Sequence, residues 1–120
     1  MKTWAVVGLG NNPERAAFGV AKLLQDKGHR IIPVYPRAET VHGEVGYKTL
    51  SEIPGPVEVV DCFVNSTLVG KVVDEAIAIG AKAVWLQLDV IDNDAIARAQ
   101  AAGLMTVMDR CPAIEYRKKS

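Results

Sequence analysis

Short apolar segments alternate along this chain with amphipathic segments, and each amphipathic segment ends at a glycine. Apolar residues recur at helical spacing in three segments, which end at Gly28, Gly80 and Gly103. Short apolar runs typical of strands lie between them, at residues 4–7, 31–34, 57–64, 83–86 and 104–108. Residues 57–64 are apolar without alternation, which predicts a strand buried on both faces, as in a parallel sheet.

This alternation predicts one fold class. Five strands joined by helical crossovers indicate an α/β fold, a Rossmann-like, doubly wound parallel sheet in a single domain over residues 1–120. With the first strand central, we expect the strand order 3-2-1-4-5, with a helix over residues 16–27 and a short helical turn at 50–53 among the crossovers. Ligands of such sheets bind at the carboxyl ends of the strands where the order reverses, here between strands one and four.

Charge and composition exclude several classes of partner. Fourteen basic and fourteen acidic residues give a formal net charge of zero, whereas binders of nucleic acid or membrane surfaces normally carry a basic excess. No apolar run approaches the roughly 20 residues that span a bilayer. The two cysteines, Cys62 and Cys111, lack the spacing of metal ligands or of a disulfide framework. We therefore expect a cytoplasmic protein that binds neither nucleic acid, membrane nor metal.

The loop after the first strand predicts a phosphate site. Its candidate binding residues are Gly8, Leu9, Gly10, Asn11, Asn12 and Arg15. Glycines let the backbone approach a phosphate, and the helix that follows supplies free N–H groups and the positive end of its dipole. Gly8 and Gly10 match the opening of the dinucleotide fingerprint, but Pro13 stands where a third glycine or alanine is usual. The loop therefore differs from a regular nicotinamide site, and a turn without any ligand remains the alternative.

The end of the second strand carries a cation where nicotinamide domains carry an acid. The residues there are Val34, Tyr35, Pro36 and Arg37, and no carboxylate follows until Glu39, beyond the proline turn. Arg37 offers a planar, permanently charged fork that suits a phosphate. A phosphate on a nucleotide ribose would satisfy it, and both the 2′-phosphate of NADP and the 3′-phosphate of coenzyme A qualify.

A series of short motifs spans nearly the whole chain in a distinctive order. They are Val6-Val7-Gly8, Asn12-Pro13-Glu14-Arg15, Ile32-Pro33-Val34-Tyr35-Pro36-Arg37, His42-Gly43, Tyr47-Lys48-Thr49-Leu50, Val60-Asp61, Ala83-Val84-Trp85-Leu86-Gln87 and Asp109-Arg110-Cys111-Pro112. This order resembles that of the small stand-alone CoA-binding proteins. That family is similar to the N-terminal nucleotide-binding domain of the succinyl-CoA synthetase α subunit.

The resemblance implies that coenzyme A lies across the first loop, the proline turn and the ends of strands three and four. The binding residues it adds are Phe63, Val64, Asn65 and Gln87. Tyr35 is expected to stack on the adenine ring. Since the sequence presents neither a Ser-His-Asp nor a Cys-His set, we expect no catalytic residues and no enzyme activity, but a binding or regulatory module for coenzyme A or an acyl-CoA.

Other functions stay open at this point. An NADP-binding small oxidoreductase or redox sensor would also use Arg37, although Pro13 and the missing acid disfavour it. A pure interaction domain would need the glycine loop only as a turn. Arg110 could favour the thiolate of Cys111, which could then form a mixed disulfide with the thiol of coenzyme A. A free edge strand and apolar helix faces also leave room for a homodimer or a protein partner.

Overall fold

The computed structural model describes residues 3–111, which form five parallel strands and three α-helices. In chain order the elements are β1 (Thr3–Val7), α1 (Ala16–Asp26), β2 (Arg30–Val34), a single 3-10 turn (Leu50–Glu52), β3 (Val59–Cys62), α2 (Ser66–Ala78), β4 (Ala83–Leu86), α3 (Asn93–Ala101) and β5 (Met105–Val107). This architecture confirms the predicted α/β class with a Rossmann-like parallel sheet. No helix between residues 3 and 111 is long and apolar enough to cross a membrane.

The predicted strand order is wrong. The sheet runs β2-β1-β3-β4-β5, so β3 pairs with β1 and not with β2. Ala5 of β1 lies beside Ile32 on one side and beside Val60 on the other. The order therefore reverses between β1 and β3, one strand earlier than predicted, and a binding crevice is expected at that reversal.

The path of the chain between β2 and β3 explains the correction. Tyr47 passes along the free edge of β2, where its N–H donates to the Pro33 carbonyl at 3.0 Å. The chain then crosses to the face opposite α1, where the Leu50 N–H donates to the Glu75 carboxylate of α2 at 2.9 Å. Since parallel crossovers are right-handed in about 98% of cases, a connection on the opposite face must move the chain back past β1.

Each face of the sheet has its own apolar core. The side chains under α1 are Trp4, Val6, Ile31 and Val59 from the strands and Ala17, Val20, Ala21 and Leu24 from the helix. The opposite core joins Ala5, Val60 and Val84 to Val69 and Val73 of α2 and to Ala95 and Ala99 of α3. Alternate residues of each strand thus face different helices, which is why the strands read as continuously apolar in the sequence.

The helix ends follow the signals in the sequence. The Asp92 carboxylate accepts from the Ala95 N–H at 3.0 Å and so caps α3. Gly28, Gly80 and Gly103 follow the three helices with φ angles of 93°, 76° and 89°. These left-handed conformations are the ones that glycine adopts without strain, so the helices stop where the sequence predicts.

Candidate functional site

The turn after β1 brings the carboxyl ends of three strands together. Gly8 has a φ of 98°, and a Cβ there would overlap the Phe63 carbonyl at the end of β3. The Gly8 N–H donates to the Val34 carbonyl of β2 at 2.8 Å, and the Phe63 N–H donates to the Val7 carbonyl at 2.8 Å. Only glycine lets the backbone pass this close, so residue 8 determines the floor of the site.

A first cavity of about 270 Å³ opens above this turn. Its lining residues are Gly8, Gly10, Asn11, Asn12, Arg15, Tyr35, Arg37 and Glu39. All except Glu39 belong to the residue set predicted from the sequence. The cavity thus joins the glycine loop after β1 to the proline turn after β2.

Two guanidinium groups border the first cavity. Arg15 and Arg37 are exposed, and neither forms an ion pair with any other residue of the described range 3–111. The ion pairs found in that range belong to the helices, with Lys22 Nζ 3.0 Å from Asp26 Oδ1 as one of them. The two guanidinium groups therefore give the cavity positive charge that suits a phosphate, and neither group is in an ion pair within the described range.

Glu39 is the lining residue that was not predicted from the sequence. Its Oε1 accepts a hydrogen bond from the Asn11 backbone N–H at 2.8 Å. The chain curls back far enough because Ala38 adopts a φ of 51°, a conformation that alanine rarely takes. A carboxylate two residues after Arg37 was visible in the sequence, but residue types do not reveal how tightly the turn closes.

Three predicted residues present no side chain to the first cavity. Leu9 and Val34 are buried in the two cores, at 0% and 3% exposed, so they could offer a ligand only backbone atoms. Pro36 is exposed but does not line the cavity. It lies between Tyr35 and Arg37, both of which do.

A second cavity of about 390 Å³ lies beside β3 and β4. Its lining residues are Arg15, Ala16, Ala17, Phe63, Val64, Asn65, Gln87, Leu88 and Val90. The predicted residues Phe63, Val64, Asn65 and Gln87 therefore all meet here, and Arg15 borders both cavities. The structure adds Ala16 and Ala17 from the start of α1 and Leu88 and Val90 from the loop after β4.

Two amides of the second cavity differ in what they can offer a ligand. Asn65 Oδ1 accepts from the N–H and from the hydroxyl of Thr67, both at 3.2 Å, so this oxygen caps α2. Gln87 is 5% exposed, and its Oε1 has no hydrogen-bond partner among the described residues. A buried acceptor without a partner is costly, so Gln87 is the side chain there that a ligand N–H would satisfy.

Two ionisable side chains lie in the sheet away from both cavities. Asp61 is 0% exposed in the middle of β3, and neither of its oxygens has a partner among the described residues. Burial raises the pKa of this carboxyl well above its ordinary value. Burial also raises the pKa of the Cys62 thiol, with a further contribution from Asp61. Among residues 3–111 no group of three His, Cys, Asp or Glu side chains could hold a metal ion.

Comparison with known proteins gives consistent results. A family model described as a CoA binding domain matches residues 2–117. The chain is similar to the uncharacterized protein YneT of Bacillus subtilis, with 34% identity over 110 residues, 92% of this chain and 82% of that protein. It is also similar to a hypothetical protein from Pyrococcus horikoshii of known structure, with a TM-score of 0.93, 39% identity and coverage of 98% of this chain and 82% of that one.

One relative is a subunit of an enzyme. The alpha subunit of the ADP-forming acetate–CoA ligase II of Pyrococcus furiosus is 38% identical over 71 residues. The match covers 54% of this chain but only 16% of that subunit. The similarity is therefore confined to a small part of the ligase subunit.

Proposed function

We propose that this chain, which belongs to the CoA binding domain family, holds coenzyme A or an acyl-CoA at the carboxyl ends of its parallel strands, as a binding or regulatory module without catalysis of its own. The observation that carries the proposal is the pair of arginines, Arg15 and Arg37, beside the glycine loop. Both line the first cavity, and neither is in an ion pair within residues 3–111.

The first cavity suits the phosphates of the ligand. Arg37 supplies a bidentate cation for a ribose phosphate, and Arg15, which borders both cavities, suits the diphosphate between the nucleotide and the arm. Arg15 also precedes α1, whose start has no side-chain cap. The first N–H groups of that helix thus add donors and the positive end of its dipole.

The second cavity suits the pantetheine arm. That arm is a largely apolar chain interrupted by two amide groups, and the cavity offers it the apolar side chains of Val64, Leu88 and Val90. Gln87 Oε1 supplies an acceptor for one amide N–H of the arm. The two cavities therefore suit a ligand whose anionic end binds in the first cavity and whose apolar, amide-bearing end binds in the second.

The lining residues of the two cavities, taken together, support a role in binding. They include no cysteine, serine or histidine, so the described part of the chain presents neither a Ser-His nor a Cys-His pair at this site. The proposed function therefore contains no reaction. Acetyl-CoA incubated with the protein should be recovered intact, and turnover above a protein-free blank would contradict this part of the proposal.

Calorimetric titration tests the binding itself. We expect coenzyme A to bind with a micromolar Kd, about −8 kcal/mol, and more tightly than NADP or NAD. Arg37→Ala should weaken the binding of coenzyme A but have little effect on 3′-dephospho-coenzyme A, because the phosphate that Arg37 is proposed to hold is absent from that analogue.

Arg30→Ala is the matched control for this titration. Arg30 is exposed at the amino end of β2, the opposite end of the sheet, so its loss lowers the net charge equally without touching the site. If the wild-type protein does not bind coenzyme A, or if it prefers NADP, the proposed function is wrong. If Arg30→Ala weakens binding as much as Arg37→Ala does, Arg37 contributes only general charge.

A further inference from the structure

We infer that Glu39 is an internal competitor for the anion site of the glycine loop. Its carboxylate occupies the Asn11 N–H while no ligand is bound, and it must leave when a ligand phosphate takes that donor. The inference rests on the proposed function and adds to it a residue that sets how strongly the site binds anions. It follows from the contact that Glu39 makes, from the charges around it and from its freedom to move.

The contact places a carboxylate where the loop would hold a phosphate. Glu39 Oε1 lies 2.8 Å from the Asn11 nitrogen, and it would lie 2.9 Å from a Cβ on Gly10. The carboxylate thus lies directly on the glycine backbone, the surface through which such loops approach phosphate oxygens. A hydrogen bond from a backbone N–H to an anion is of the same kind as the bond that a phosphate would form.

The surrounding charges show that Glu39 does not serve to neutralise an arginine. Arg15 and Arg37 line the same cavity, yet Glu39 is not in an ion pair with either of them. The two guanidinium groups stay available to an incoming anion, while the Asn11 backbone donor of the same cavity is taken. A phosphate at about 4 Å from the Glu39 carboxylate would be repelled by it, so the two anions compete for the loop.

The geometry lets the side chain move while its backbone stays in place. The Glu39 carbonyl is packed against Gly46, where any Cβ would overlap it, and Ala38 holds a φ of 51°. The side chain itself is half-buried, and within residues 3–111 its one hydrogen bond is the one to Asn11. Rotation about its own bonds can therefore release the Asn11 N–H without any movement of the sheet.

The consequence is that small anions should bind poorly. Inorganic phosphate must displace Glu39 and gains only the contacts of the first cavity, whereas coenzyme A also fills the second cavity with its arm. The internal carboxylate lowers the affinity of both ligands by a similar factor, so the weaker anionic fragments bind only at much higher concentrations than the complete ligand does.

Affinity measurements on charge variants test the inference. Glu39→Gln keeps the length of the side chain and removes its charge, and Glu39→Ala removes the hydrogen bond as well. We expect both variants to bind coenzyme A and adenosine 3′,5′-bisphosphate about fivefold more tightly than the wild-type protein does. Glu14→Gln is the control, because Glu14 is exposed in the same loop and lines neither cavity. Its effect should be clearly smaller.

The possible results separate the inference from the proposed function. Wild-type binding of coenzyme A with unchanged or weaker binding by Glu39→Gln overturns the inference alone; weaker binding would mean that Glu39 accepts a hydroxyl of the ligand. Failure of every variant to bind overturns both. Binding by Glu39→Gln and not by the wild-type protein supports the inference but overturns the proposed function, because the native chain would then not hold coenzyme A.

The amide signal of Asn11 gives a second, direct readout. In the free protein its chemical shift should differ between wild type and Glu39→Gln, because the hydrogen-bond acceptor differs. In the complexes with coenzyme A the two shifts should coincide, because the same ligand phosphate has replaced both side chains. A difference that persists in the complexes would show that residue 39 stays on the loop, and it would overturn the inference.

Discussion

The ring of Tyr35 lies against Gly10, with its Cε2 and Cζ atoms 3.3 Å from the position that a Cβ would take at residue 10. The ring thus forms a wall of the first cavity and packs on the loop that forms its floor. The stacking of Tyr35 on adenine, expected from the sequence, remains a prediction. Both as a wall of the cavity and in the predicted stacking on adenine, Tyr35 contributes through its aromatic ring rather than through its hydroxyl.

Substitution of Tyr35 should therefore separate the ring from the hydroxyl. Tyr35→Ala should weaken the binding of coenzyme A about tenfold, since base–aromatic stacking is worth about 1–3 kcal/mol per base. Tyr35→Phe keeps the ring and should bind as the wild-type protein does. Calorimetric titration of both variants checks this. Unchanged affinity in Tyr35→Ala would exclude stacking, and a loss in Tyr35→Phe would assign the role to the hydroxyl.

Asp61 should make the protein less stable as the pH rises. Its pKa in the unfolded chain is near the ordinary 3.8, whereas burial raises it well above that value in the folded state. Between these two pKa values the folded state holds one more proton than the unfolded state does. The free energy of unfolding therefore falls with rising pH in this window, by about 1.4 kcal/mol per pH unit.

The Asp61→Asn variant tests this dependence, because an amide does not titrate there. Urea unfolding at a series of pH values from 4 upwards should show the stability of Asp61→Asn rising relative to that of the wild-type protein. Asp94→Asn, an exposed substitution in the first turn of α3, should leave the wild-type slope nearly unchanged. Parallel curves for wild type and Asp61→Asn would contradict the prediction.

The two thiols should react at very different rates. Cys62 is 0% exposed and burial raises its pKa, so it presents neither access nor thiolate to a reagent, whereas Cys111 is half-buried. A thiol reagent should modify one cysteine per chain in the native protein and two after unfolding in urea. Cys111→Ser should abolish the native-state reaction, and modification of Cys62 in that folded variant would show that the sheet opens.

Two glycines should respond to alanine in opposite directions. Gly19 lies exposed within α1, and a Cβ there meets no atom within 4 Å. Gly19→Ala should raise the free energy of unfolding by about 0.5–1 kcal/mol, because alanine is the better helix former. A Cβ at Gly28 also meets no atom within 4 Å, but Gly28 has a φ of 93°. Gly28→Ala should therefore lower the free energy of unfolding by about 1 kcal/mol. Equal changes in the free energy of unfolding, measured in urea, would mean that the space around the Cβ, rather than the backbone conformation, determines the effect of alanine.

Much of the candidate site could be predicted because parallel strands point their carboxyl ends to one edge. The predicted loops, which follow the ends of β1, β2, β3 and β4, do lie at this edge, and Gly8 contacts Phe63 across the sheet. The division into two cavities that share Arg15 could not be predicted, since it depends on how far each loop extends above the sheet. Glu39 was missed for a related reason: its return to Asn11 depends on the left-handed backbone of Ala38.

The sequence by itself determined the elements of this protein, because helical spacing, terminal glycines and the Asp92 cap act between residues close in the chain. It also determined that residues 57–64 contribute a buried parallel strand. It did not determine the neighbour of that strand, since β1 and β2 are both apolar and could equally pair with it. Only the tertiary structure decided this: the connection after Tyr47 packs on the face opposite α1, and the right-handedness of the crossover then places β3 beside β1.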